Sequence, residues 1–112
     1  MSVTAEIPEV SVEEAATQLA TGAVMIDVRE PGEWQAGRVS SARHIPLGDL
    51  PYRLEELESG TTLLVMCRSG MRSAEATVAL NSKGFDAHNI VGGMKAWVAA
   101  GKPIEPESGF VA

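Results

Sequence analysis

Two features of this sequence predict an α/β fold with a mostly parallel central sheet and helices on both faces. Ala23–Val28 and Thr62–Met66 are short apolar runs, interrupted only by Asp27 in the first, as expected of strands covered on both sides. Segments of helical periodicity alternate with these runs, and that alternation implies right-handed crossovers between parallel strands. At 112 residues and 45% hydrophobic content, the chain fits one domain over 1–112 with a single core and no need of disulfides or a structural metal.

Ser11 with Glu14 three positions later forms a capping box, and Val12, Ala15, Ala16 and Leu19 follow at helical spacing until Gly22. After the first strand, Glu30 and Glu33 fall where first-turn carboxylates complement a helix dipole. Leu47, Leu50, Leu54 and Leu57 predict another helix, with Pro51 tolerable in its first turn. Beyond the second strand, Ser73–Lys83 predicts a helix with Ala76, Ala79 and Leu80 on one face, closed by Gly84. Ala87–Val91 is a weaker third strand, and Gly92-Gly93 leads into a short helix carrying Met94, Trp97 and Val98. The core therefore spans about residues 10–101. The tail from 102 to 112, with two prolines and Ser108-Gly109, is expected to be loosely held.

Composition excludes several functions. A net charge of −6 with only nine Lys and Arg argues against general nucleic-acid binding, because phosphate backbones are held by basic faces. No run of about 18 apolar residues is present to cross a membrane. Met1–Glu6 lacks a basic leader, which makes the cytoplasm the expected location. One cysteine allows no internal disulfide, and His44 and His88 stand apart from any metal-ligand set, so neither metal nor cofactor is expected.

That cysteine opens the segment Cys67-Arg68-Ser69-Gly70-Met71-Arg72-Ser73, directly after a buried strand and before a helix. In open parallel sheets ligands bind beyond the carboxyl ends of the strands, where both Cys67 and Asp27 fall. Amide groups and the helix dipole favour negative charge at such a turn. Arg68 and Arg72 add two full positive charges in an otherwise acidic chain, which favours the thiolate form of Cys67 and welcomes an anion. Those two cations and Gly70 weigh against the alternative of a small buried hydrophobe at Cys67. Asp27 would be costly to bury alone, so Arg29 or a backbone donor is expected to meet it.

Four separated pieces resemble the rhodanese (thiosulfate sulfurtransferase) family in its small single-domain form, over about Val10 to Gly101. Asp27-Val28-Arg29-Glu30 with Glu33-Trp34 is similar to the first signature, and Gly37-Arg38-Val39 through His44-Ile45-Pro46 to the second. The Cys67–Ser73 segment resembles the active-site loop, and Gly92-Gly93-Met94 with Trp97 resembles the closing signature. The resemblance implies that Cys67 takes sulfur from a small anionic donor such as thiosulfate, holds it as a persulfide and yields it to cyanide, a thiol or an acceptor protein. It implies that Arg68, Ser69, Gly70, Met71, Arg72 and Ser73 form the substrate cradle, with Arg68 or Arg72 anchoring the sulfonate end. The sequence leaves open which arginine turns inward.

The second signature departs from the family pattern. Arg38 stands where relatives often carry histidine, and Ser41 and His44 where they often carry glycine and asparagine. Arg38 could supply a third entrance cation or merely pair with surface carboxylates, and the second is the commoner fate. Phosphatases and arsenate reductases of similar fold commonly place five residues between cysteine and arginine, whereas four separate Cys67 from Arg72. The smaller ring suits a single sulfur better than a tetrahedral phosphate. A module that only binds a partner is the alternative from another class; it would be expected to lose the cysteine or the cationic loop, and both are present. A sulfur carrier that passes its cargo to a protein would share the chemistry and differ in the acceptor.

Overall fold

The computed structural model describes residues 6–112; Met1–Ala5, on which the reading of the leader rests, lie outside them. Both partners of the Ser11/Glu14 capping box are in place, each side chain bonded to the other's backbone N–H at 2.9–3.0 Å. This box starts α1 (Val12–Ala20), which follows a two-residue strand β1 (Glu9–Val10). The apolar run that follows is β2 (Val24–Asp27), and a second capping box, Glu30 with Glu33, opens α2 (Pro31–Ala36) with Pro31 at its first position. Next come β3 (Arg43–His44), β4 (Thr62–Met66), α3 (Met71–Ser82), β5 (Asp86–Ile90) and α4 (Gly93–Ala99).

The five strands form one parallel sheet in the order β1-β5-β4-β2-β3. Side chains alternate across it with the strand's period of two. Leu63, Val65 and Cys67 face one side with Ile26, Val28, Ile45, Ala76 and Leu80. Leu64 and Met66 face the other with Met25, Ala15, Ile90, Met94 and Trp97. Both faces are thus covered, α3 on one side and α1 with α4 on the other, which is the three-layer arrangement expected from the uninterrupted apolar runs.

Two expectations are revised, and β3 was not anticipated. The helix anticipated across Leu47–Leu57 is instead two 3-10 turns, Leu50–Tyr52 and Leu54–Glu56. Pro51 has no N–H for an α-helical bond, and the turns still bury Leu50 and Leu57 against the sheet. β3 carries no apolar signal, since its residues are an arginine and a histidine, and it is created by pairing with β2: Ile26 opposite Arg43 and Asp27 opposite His44. The tail is not loose. Arg38 and Glu105 exchange backbone hydrogen bonds of 3.0 and 2.8 Å, Phe110 N–H donates to Ala36 O, and the Trp97 indole donates to Pro103 O. Ile104 and Val111 pack on the α1/α4 side of the core, so the tail crosses that face and returns toward the cysteine loop.

Candidate active site

Cys67 follows β4 directly, and its loop reverses at Gly70 before α3 begins at Met71. Gly70 has φ 106°, a left-handed conformation that L side chains rarely adopt, and a Cβ there would meet Gly92 N at 3.3 Å. The turn aims its donors inward: Gly70 N–H lies 3.1 Å and the Ser73 hydroxyl 3.2 Å from Cys67 Sγ. Burial pushes the Cys67 thiol up, but the Ser73 hydroxyl and the amides of Ser73, Gly70 and Ser69 outweigh it, and the net displacement is downward.

The far side of the loop rests on α4. Met94 N–H donates to Cys67 O at 2.8 Å and Lys95 N–H to Arg68 O at 3.0 Å, so the first amides of α4 hold the loop's carbonyls. Gly93 permits this approach, because a Cβ at that position would lie 2.8 Å from the Arg68 carbonyl carbon. The two glycines of the last sequence motif therefore back the cysteine loop, while Trp97 packs in the core and bonds Pro103 O.

The sequence left open which arginine turns inward, and both have partners in the protein. Arg72 donates from Nη1 and Nη2 to the two carboxylate oxygens of Glu33 at 2.7 and 2.8 Å, and Arg68 Nε donates to Ala112 O at 2.9 Å. Arg72 still feels the sulfur, since negative charge on Cys67 is among the influences that raise its pKa, after the Glu33 hydrogen bond and against burial. The leading influences that lower the thiol are a hydroxyl and amides. Of the other loop residues, Ser69 and Met71 are exposed and Ser73 is fully buried behind the sulfur.

Asp27 and Arg29 meet each other, both fully buried. Arg29 Nε and Nη2 reach the Asp27 carboxylate at 2.8–3.0 Å, and the remaining guanidinium donors go to Glu33 O and Gly37 O. This pair braces β2 against both ends of α2, and its side-chain hydrogen bonds go to each other, to the Arg29 backbone and to α2 and Gly37, none to the loop. Arg38 lies over the Trp34 ring and 3.6 Å from Glu105, on the surface, outside the loop. His44 stacks on Trp34 and bonds Arg29 O, and His88 bonds Asp86; neither meets the cysteine. Among the described residues no group of three His, Cys, Asp or Glu is placed to hold a metal ion, and no helix is long and apolar enough to cross a membrane.

Two residues beside the loop escape a reading based on spacing. Glu33 was legible as a helix-start carboxylate, but its bond to Arg72 was not. Asn89, 3% exposed in β5, accepts from Ser73 Oγ at 2.6 Å and donates to Gly70 O at 3.1 Å. A polar amide inside a buried strand needs partners, and that requirement is the signal that could have singled it out.

The family model for the rhodanese-like domain matches residues 11–100, from the α1 cap through the end of α4. The chain belongs to the rhodanese-like family. It is 42% identical over 79 residues to YtwF of Bacillus subtilis, covering 70% of this chain and 77% of that protein. It is 32% identical over 87 residues to a protein of Allochromatium vinosum named Sulfurtransferase, covering 77% and 81%. Among solved structures, a rhodanese-related protein from Thermoplasma volcanium superposes with a TM-score of 0.82 at 27% identity, over 87% of this chain and 96% of that one.

Proposed function

We propose that this rhodanese-like domain is a sulfurtransferase that carries sulfane sulfur on Cys67. The observation that carries the reading is the convergence of Gly70 N–H and the Ser73 hydroxyl on one sulfur atom at a strand end. The Cys67 thiolate attacks the outer sulfur of thiosulfate or a related small anion, the donor's S–S bond breaks, and its electron pair leaves with sulfite. The bound persulfide is then attacked at its outer sulfur by cyanide or a thiol, and the Cys67 thiolate departs as the leaving group. The same donors that favour the thiolate suit the persulfide anion.

Within this mechanism the backbone from Arg68 to Ser73 forms the cradle, and Arg72 offers positive charge at its rim in competition with Glu33. Asp27 and Arg29 keep α2, and therefore Glu33, in place; Arg38 is engaged by Trp34 and Glu105 outside the cradle. A thiol kept reduced in the cytoplasm would be ready for loading.

A second reading, a sulfur carrier that hands its cargo to another protein, is favoured by the chain's single cysteine, which leaves no resolving thiol in the same molecule. Mass spectrometry after exposure to thiosulfate tests both. Cys67 gains the mass of one sulfur, and Cys67→Ala abolishes this adduct and thiocyanate formation. A persulfide that forms but is not discharged by cyanide or small thiols would favour the carrier; no adduct would defeat both readings.

A further inference from the structure

The Ser73 hydroxyl has two claimants and one proton. Its oxygen lies 2.6 Å from Asn89 Oδ1 and 3.2 Å from Cys67 Sγ. The orientation of the Asn89 amide is set from its other end: Nδ2 meets Gly70 O at 3.1 Å, and a carbonyl accepts only from the nitrogen. Oδ1 is therefore the end that faces Ser73, and it can only accept.

These constraints give two states of one hydrogen-bond chain. With Cys67 as a thiol, S–H donates to Ser73 Oγ and the hydroxyl donates to Asn89, so every proton has an acceptor. Once the thiol proton has left to solvent, the sulfur is itself an acceptor, and the single hydroxyl proton serves either the anion or Asn89. If it turns to the sulfur, Asn89 Oδ1 loses its donor at a site that is 3% exposed, where an unpaired oxygen is unfavourable.

We propose that Asn89 is a positioning residue that competes with the Cys67 sulfur for the Ser73 hydroxyl proton, and thereby sets how strongly the loop holds negative charge on that sulfur. It touches neither the sulfur nor a donor molecule, and acts through Ser73. The consequence for turnover rests on the proposed role of Cys67 as sulfur carrier, but the competition itself concerns the thiol alone and is measured without any sulfur donor.

Charged groups on the elements packed against the loop are Arg68 within it, Arg72 and Glu75 on α3, Glu30 and Glu33 at the start of α2, Asp27 at the end of β2 with Arg29 just beyond it, and Lys95 on α4; Asp86 and His88 lie toward the other end of β5, opposite Thr62 and Leu64. Arg72 is paired with Glu33, Arg29 with Asp27 and His88 with Asp86, and Asn89 is uncharged, so replacing it changes no charge.

The test is the thiolate absorbance of the full chain followed against pH, with Cys67→Ala as the blank. Ser73→Ala moves the midpoint up. Asn89→Ala moves it down, by about half a unit or more, because the hydroxyl proton is released to the sulfur. In the Ser73→Ala background, Asn89→Ala produces no further shift. Asn89→Leu, which fills the space without an acceptor, carries the same expectation if the alanine variant does not fold. A midpoint that rises in the Asn89 variants, as mere loosening of the loop would cause, overturns the proposal, and so does an equal shift with and without Ser73. Persulfide formation in wild type, measured separately, tests the function and leaves this result untouched.

Discussion

Arg72 and Glu33 lie 39 positions apart and form a two-pronged ion pair, 2.7 and 2.8 Å, that ties the first turn of the helix after the cysteine loop to the first turn of α2. The Arg72 hydrogen bond holds the Glu33 carboxyl down, against burial, from 4.5 to about 2. One of the two cations that the family resemblance offers to a bound anion thus already has a protein anion on it. An incoming donor must share or displace that partner.

Acid should expose this pair. A carboxylate with a depressed folded-state pKa contributes stability that is complete above its unfolded value and fades as pH falls through the folded one, here between 4.5 and about 2. Because Arg72 is a third exposed, solvent screening reduces the contribution to about 1 kcal/mol. Urea unfolding of wild type and Glu33→Gln should differ by that amount near neutrality and converge near the bottom of the window. A gap that persists at the acid end would assign it to something other than ionisation.

Freed from its carboxylate, Arg72 should bind donors better. Glu33→Gln is expected to lower KM for thiosulfate by roughly three- to tenfold, and Arg72→Ala to raise it by at least as much, as expected for a charge-assisted contact of about 1 kcal/mol. Lys102→Ala serves as the comparison, since Lys102 pairs with Glu13 on α1. Equal responses to the Arg72 and Lys102 changes in steady-state kinetics would remove Arg72 from the cradle.

The Asp27–Arg29 pair should act on stability. Removing either partner leaves an uncompensated buried charge, so Asp27→Ala or Arg29→Ala alone should cost about 3–5 kcal/mol. That is a large part of the ~5–15 kcal/mol available to a domain of this size. The double variant should lose much less than the two single losses together in denaturant titrations. Additivity would show that the two side chains do not depend on each other.

Gly93 and Gly101 provide a comparison at similar backbone angles, φ 54° and 75°. A Cβ at Gly101 meets nothing within 4 Å, so Gly101→Ala should cost only about 1 kcal/mol of backbone strain. Gly93→Ala drives a methyl into the Cys67 and Arg68 carbonyl region and should cost clearly more, with a matching loss of Cys67 persulfide loading. Thermal melts and mass spectrometry of both variants check this, and indistinguishable behaviour would mean that α4 does not brace the loop.

Much of this was legible along the chain because it depends on neighbours. The Ser11/Glu14 cap, the apolar runs of β2 and β4 and the glycine at the loop reversal are determined within a few residues, and so is the placement of Cys67 at a strand end. Asp27, a carboxylate in an apolar run, announced its need for a partner two positions away. The pairing of β3 was not legible, since Arg43 and His44 become a strand only beside β2. Nor was the docking of the tail, which depends on backbone bonds to Ala36 and Arg38 that no side-chain pattern encodes.

At the cysteine the division is the same. The sequence by itself determined that a lone thiol sits in a glycine-containing turn between a buried strand and a helix, where amides and nearby arginines favour negative charge. Only the tertiary structure decided which donors reach the sulfur. Arg72 is drawn to Glu33 and Arg68 to the tail, while Asn89, from a strand sixteen residues beyond Ser73, arrives beside the hydroxyl. The reason is that a long charged side chain goes to whatever partner folding brings within reach, whereas the amides of a tight turn have nowhere else to point.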